Sequence, residues 1–282
     1  MMTKTALITG AAGGIGLEFA NVAALNGYNL LLVDINEQTL QVSKSSLESL
    51  YSIEIKTFTQ DLSAPHAAEA ICNFVEKEGI EVELLFNNAG FGNFGYFAQS
   101  SWAKDKAMLH VHMITATELM KKLLPGMIDR KRGYILNNAS VAAFVPGPLM
   151  STYHASKAYL LNFSQALANE VRADGVNVSV LCPGMTKTNF AKSNGNENPN
   201  IKFNIADAKS VAQFGFEGLM AGRVVLVPGF WNKLSAFLPR LLSRNRVANM
   251  VGNIQRKNHA KRVDGKAARP ISMELAPESV DK

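Results

Sequence analysis

Thr9-Gly10-Ala11-Ala12-Gly13-Gly14-Ile15-Gly16 decides the fold. It follows the run Thr5-Ala6-Leu7-Ile8 and opens a helical pattern, so a strand, a glycine turn and a helix stand in register. Glycines there allow a tight reversal, close backbone approach to a pyrophosphate, and tight packing of helix on strand. The helix N-terminus then offers unpaired N–H groups and a positive dipole end to phosphates. Asp34 ends the second strand 18 residues beyond Gly16, close to the ~20 of a dinucleotide site. A carboxylate at that place accepts from a ribose 2′-hydroxyl and repels a 2′-phosphate. Residues 10–16 and 33–39 hold no Arg or Lys to neutralise such a phosphate. The pattern predicts a dinucleotide cofactor, with NAD(H) favoured over NADP(H).

Outward from that turn, apolar β-rich runs alternate with helical patterns. Strands are expected at Thr5–Thr9, Asn29–Asp34, Ile53–Thr57, Leu84–Phe86, Gly133–Asn137, Asn177–Cys182 and Arg223–Val227. Helices are expected near 15–26, 37–50, 65–78, 102–130, 151–173 and 207–221. Runs such as Leu30-Leu31-Leu32-Val33, apolar at every position, require a sheet covered on both faces. The fold class is therefore α/β, a doubly wound parallel sheet of about seven strands. One domain spans 1–228, without internal repeats. The Asn- and Gly-rich stretch 191–206 reads as a long mobile loop, 229–257 as a basic amphipathic helical extension, and 258–282 as a disordered tail.

The chain has 282 residues, 47% of them hydrophobic, enough for one large core. No run approaches ~18 apolar residues, and the N-terminus lacks the apolar core and cleavage site of a secretory signal. Cys72 and Cys182 are too few for a disulfide framework and not spaced as metal ligands, so no metal is expected. Two buried thiols fit a reducing cytoplasm. The net charge of +6 is uneven: residues 233–269 carry ten Lys/Arg against Asp264 alone, whereas 1–232 carry 18 basic and 19 acidic side chains. A body near neutrality argues against a nucleic-acid partner.

Tyr153 and Lys157 lie at i and i+4, thirteen residues after Ser140. On a helix they share a face, placing an ammonium beside a phenol. A free tyrosine titrates near ~10, and a nearby cation is expected to lower that value. Alone the pair is a weak signal, equally a surface helix pair; its place in this order of features gives it weight.

With these residues in hand, the chain resembles the short-chain dehydrogenase/reductase family over roughly residues 4–228. Gly10, Gly14, Ile15 and Gly16 match the family's cofactor loop. Asp61-Leu62 matches the pair that contacts adenine. Asn87-Asn88-Ala89-Gly90 matches the turn that supports the sheet and lines the adenine ribose. Ser140, Tyr153 and Lys157 match the catalytic serine, tyrosine and lysine. Pro183-Gly184 with Thr186 and Thr188 matches the nicotinamide side. The resemblance implies a Rossmann-type fold, a homodimer or homotetramer pairing through the helices at 102–130 and 151–173, and Asp34 on the ribose.

One position departs. Counting back from Leu123-Leu124-Pro125-Gly126-Met127, the family's catalytic asparagine falls on His112. In relatives that asparagine holds a water linking the lysine to solvent. A histidine also donates and accepts. Three readings stay open: a kept relay, an impaired relay, or an inert helix histidine. Ala139, often serine in relatives, is not the catalytic position.

The expected activity is hydride transfer between nicotinamide and a carbonyl, reversing to oxidise a secondary alcohol. Tyr153 is the general acid/base, Ser140 binds the reacting oxygen, and Lys157 lowers the tyrosine's pKa and holds the ribose. The competing reading is a regulator or scaffold with weak catalysis, supported only by His112. Phe91, Phe94, Phe144, Val145, Pro146, Pro148, Leu149 and Met150 form an apolar rim, fitting a largely apolar carbonyl or alcohol. From 230 to 257 apolar and basic positions interleave, with Pro239 expected to kink or split the helix. That extension reads as a cover packed over the cleft or a neighbouring subunit, as a peripheral membrane contact, or as a nucleic-acid contact.

Overall fold

Every residue of β1 (Thr5–Thr9) is buried, which places it at the centre of the sheet. The computed structural model describes residues 4–188 and 205–267. The loop expected over 191–206 lies outside them apart from Ile205 and Ala206, as does the expected tail beyond Ala267. The strands are β2 (Asn29–Asp34), β3 (Ile55–Thr59), β4 (Val82–Asn87), β5 (Gly133–Asn138), β6 (Val176–Leu181) and, later in the chain, β9 (Val225–Leu226). They form one parallel sheet in the order β3-β2-β1-β4-β5-β6-β9. A short pair, β7 (Thr186–Lys187) with β8 (Ala206–Asp207), stands apart.

The unbroken apolar runs are explained by a core on each face. Successive side chains of a strand point to opposite sides. Leu7, Leu31, Val33, Leu85 and Ile135 enter one core, packed under α3 (Ala67–Lys77), α5 (Ala116–Asp129) and α6 (Ser151–Val171). Ala6, Ile8, Leu30, Leu32 and Phe86 enter the other, under α1 (Gly14–Leu25), α2 (Glu37–Glu48) and α7 (Ala208–Met220). There Phe19 of α1 stacks on Phe86 with ring centroids 4.3 Å apart. Burying a side chain of that size contributes roughly 1.5–3 kcal/mol.

Two expected elements differ. The third strand lies two residues further along, because the parallel register pairs Leu30 with Ile55. The single helix expected over 102–130 is α4 (Trp102–Leu109) and α5 joined by a π-helical turn, His110–Thr115. A widened turn of this kind re-aims the side chains it carries. Pro239 does split the extension: α8 (Phe230–Phe237) ends in a 3₁₀ turn over Leu238–Leu241, and α9 (Arg244–Ala267) follows. The helix thus runs on past Lys257, where disorder was expected to begin. Among the described residues no helix is long and apolar enough to cross a membrane.

Candidate active site

The glycine turn is shaped by what it must clear. Gly10 and Gly14 have φ of +66° and +56°, a region unfavourable for residues with a Cβ. A Cβ on Gly16 would lie 2.0 Å from the Gly10 carbonyl oxygen and 2.6 Å from Asn88 Nδ2. The first turn of α1 carries no acidic residue and no side-chain cap, leaving its N–H groups for an anion. Ile15 follows Gly14 in that first turn. Asp34 braces the turn from the side: Oδ2 accepts from Ala12 N at 3.0 Å and Oδ1 from Asn36 N at 3.1 Å. Each carboxylate oxygen keeps a second lone pair for a ribose hydroxyl. A turn closed to a Cβ at Gly10 and Gly16, over an uncapped helix end and beside a carboxylate, fits a dinucleotide.

The strand ends carry the rest. Thr9 Oγ1 donates to Phe86 O at 3.3 Å and accepts from Asn88 N and Ala89 N at 3.0 and 3.1 Å, tying β1 to the turn after β4. Asn88 Nδ2 donates to Thr9 O, and its Oδ1 accepts from Asn138 Nδ2 at 2.9 Å. Leu62 presents its carbonyl to the Thr115 hydroxyl at 2.7 Å. Asp61 turns instead onto Ser63, accepting from that residue's N–H and hydroxyl. On the opposite side, Pro183 O accepts from Val141 N at 3.0 Å, Thr186 Oγ1 donates to Gly184 O at 3.3 Å, and Thr188 lies within contact range of Gly14.

Ser140, Tyr153 and Lys157 come together. Ser140 follows β5 with extended backbone, its Oγ accepting from Ala142 N at 3.1 Å. It shares a hydrogen bond with the Tyr153 hydroxyl. Lys157 Nζ donates to the Asn138 carbonyl at 2.7 Å and lies 5.8 Å from the centre of the Tyr153 ring. Burial pushes Tyr153 up to about 12, with the Ser140 hydrogen bond pulling weakly the other way. The amine is itself pushed down by burial, to about 8. The expected depression of the phenol by the lysine is therefore outweighed by desolvation. At neutral pH the phenol keeps its proton and can donate it.

His112 sits on the π turn, fully buried. Nε2 accepts from Phe91 N at 3.2 Å, so Nδ1 carries the hydrogen and donates to Ser156 Oγ at 2.9 Å. Ser156 Oγ in turn donates to the Tyr153 carbonyl at 2.8 Å. Gly90 makes room for this: a Cβ there would stand 2.7 Å from Nε2. Burial, then the Lys157 charge, hold the ring well below its ordinary range, so it is neutral. Among the three open readings, the geometry is that of a bracket joining the turn after β4 to the helix that carries Tyr153.

Sequence reasoning missed three participants. Asn138 gives Lys157 its acceptor through a backbone carbonyl, which leaves no trace in side-chain pattern. His154 Nδ1 bonds the Val145 carbonyl at 2.9 Å, and its ring occupies the space a Gly147 side chain would need. Asn232 of α8 lies over Gly184, where a Cβ would be 2.4 Å from its Oδ1. Part of the expected apolar rim stands beside Tyr153: Phe94, Leu149 and Met150 pack with it, joined by Phe91 and by Met108 and Ala142, whereas Phe144 packs into the separate cluster of Ala139, Leu160 and Val180. Leu149 adopts φ of +65°, a strained backbone whose side chain is buried in the Tyr153 cluster.

A glycine cradle at the switch from β1 to α1, with a Ser–Tyr–Lys group whose Tyr153 and Lys157 are buried, defines a nucleotide-binding α/β protein of the Rossmann type. The family model described as short chain dehydrogenase matches residues 4–199, and the chain belongs to that family. It is 35% identical over 191 residues to a very-long-chain 3-oxoacyl-CoA reductase of Phaeosphaeria nodorum, covering 66% of this chain and 56% of that one. The match thus spans about half the length of that relative. A solved 7beta-hydroxysteroid dehydrogenase is 27% identical with a TM-score of 0.79, over 89% of this chain and 96% of that one. A short-chain dehydrogenase from Sphingobium yanoikuyae in complex with NADPH is 26% identical with a TM-score of 0.76, over 84% and 94%.

Proposed function

We propose that this chain is a nicotinamide-dinucleotide-dependent oxidoreductase that interconverts a carbonyl and a secondary alcohol on a largely apolar substrate. The observation that carries the reading is the convergence of the Tyr153 phenol with Ser140 and the Lys157 ammonium at the edge of an apolar cluster. When bound, the dinucleotide supplies the hydride. Gly10, Gly14, Ile15 and Gly16 would hold its pyrophosphate and Asp34 the adenine ribose. Asp61, Leu62, Asn88, Ala89 and Gly90 would line the adenine side, and Pro183, Gly184, Thr186 and Thr188 the nicotinamide side. Tyr153 Oη donates a proton to the substrate oxygen as it gains negative charge. The Ser140 hydroxyl binds that same oxygen, an interaction stronger in the transition state than in the ground state. Lys157 Nζ, lowered by burial to about 8, is a proton donor placed to return one toward the phenol. His112 positions the helix that carries them.

The acyl and steroid names of the relatives agree with the apolar wall formed by Phe94, Leu149 and Met150. The carboxylate of Asp34 supports NAD(H) over NADP(H), although solved relatives include complexes with NADPH as well as one with NAD. The test is NADH and NADPH consumption against a panel of steroid, 3-oxoacyl and bulky aromatic ketones. Saturable dinucleotide binding with no turnover on the panel favours the regulator reading instead.

A further inference from the structure

We propose that the outer face of the C-terminal extension docks on an anionic lipid bilayer. The two helices have distinct sides. Facing inward, Gly252 lies against Pro148, Gln255 Nε2 reaches Met150 Sδ at 3.9 Å, and the His259 ring sits 5.3 Å from that of Tyr96. This side closes over the apolar rim of the site. Facing outward, Phe230, Leu241, Met250 and Ile254 are 53–70% exposed. Met250 and Ile254 lie one turn apart on α9 and share its outer stripe with Arg246.

Residues 230–261 hold seven Lys/Arg and no Asp or Glu, and none of the seven forms an ion pair with a described residue. Arg240, Arg244, Arg246 and Lys257 are exposed around the apolar groups. Large apolar side chains rimmed by unpaired cations match the boundary between acyl chains and acidic headgroups. A second copy placed on this face by a twofold axis would set these cations against themselves, with no carboxylate to separate them. Exposed rings are present here too, at Phe230, Trp231 and Phe237, but Leu241, Met250 and Ile254 add hydrocarbon that a nucleic-acid surface has no use for and an acyl boundary takes up. The docking does not depend on the reaction. Combined with the proposed function, it puts the cover of the cleft against the phase in which an apolar substrate dissolves.

The experiment is co-sedimentation of the full chain with phosphatidylcholine vesicles, with and without phosphatidylserine. Partition onto the phosphatidylserine vesicles is expected, with release as salt rises. Binding should fall by at least about tenfold in Arg240→Glu/Arg244→Glu and in Leu241→Ser/Ile254→Ser, whose positions are exposed. NADH turnover on a soluble ketone, read on the same preparations, should be unchanged in both. Absence of partition, or partition untouched by both variants, would overturn the docking; absence of partition together with a dimer that falls to monomer in the variants by analytical ultracentrifugation would assign the face to a second copy. Vesicle binding without turnover in the wild type would overturn the reaction and leave the docking standing.

Discussion

His112 Nδ1 lies 2.9 Å from Ser156 Oγ, and that bond ties the π turn to the helix bearing Tyr153 and Lys157. With Phe91 N–H on Nε2, both ring nitrogens are committed. A relay through this ring would need a nitrogen free to exchange protons and a pKa near the working pH. Burial removes the second condition as well. His112→Ala leaves the Phe91 N–H buried without its acceptor, a cost of about 1–3 kcal/mol before any cavity is counted. Urea unfolding should show that loss, and kcat should fall while the shape of the pH–rate profile persists. A limb near neutrality that vanishes in the variant would reinstate the histidine as a proton carrier.

Tyr153→Phe removes the hydroxyl and keeps the ring that packs on Phe94, Leu149 and Met150. General acid catalysis of this kind is worth about 10²–10⁴-fold, so turnover should drop by that range. NADH affinity, read by fluorescence titration, should stay near wild type. Activity within a fewfold of wild type removes the phenol from the mechanism.

Asp34 holds the Ala12 N–H, and in the proposed binding mode its negative charge would face a 2′-phosphate. Asp34→Asn keeps an acceptor for that N–H and discards the charge. The ratio of kcat/KM for NADH over NADPH should fall by about tenfold or more, since like-charge placement is worth on the order of 1–2 kcal/mol. An unchanged ratio means that another group sets the preference.

The sheet and the dinucleotide end were legible because their causes are local. Leu30–Val33 are apolar at every position since both faces are covered, and Gly10 and Gly16 answer to backbone clashes that sequence spacing records. The Tyr153–Lys157 pair was legible through helical spacing, but the direction of the phenol's shift was not. It follows from the depth of burial, which only the packed structure supplies. The π turn at 110–115 was hidden because one extra residue in a turn leaves the apolar pattern of 102–130 almost intact. The two-sided extension was read in outline from its alternating apolar and basic residues. Which side meets Met150 and which meets solvent depends on how α9 is rotated, and composition does not encode that.

Lys157 offers a test on the protein without cofactor. Its amine is buried, donates to the Asn138 carbonyl, and is lowered by burial from its ordinary 10.5 to about 8. The unfolded chain keeps that proton up to about 10.5. Between these values the unfolded state binds more protons than the folded one, so stability climbs with pH across the window. Below about 8 both states are protonated and the contribution is flat. Lys157→Met removes the group and the slope with it. The difference in unfolding free energy, wild type minus variant, should therefore rise by roughly 3 kcal/mol from neutral pH to the top of the window, at about 1.4 kcal/mol per pH unit. Taking the difference removes most of the opposing loss from Tyr153 and Cys182, which burial raises to about 12 in the folded chain; the Cys182 part is altered slightly because the Lys157 charge acts on it. A flat difference would mean that the amine stays fully charged in the folded protein, and its buried place behind the phenol would have to be abandoned.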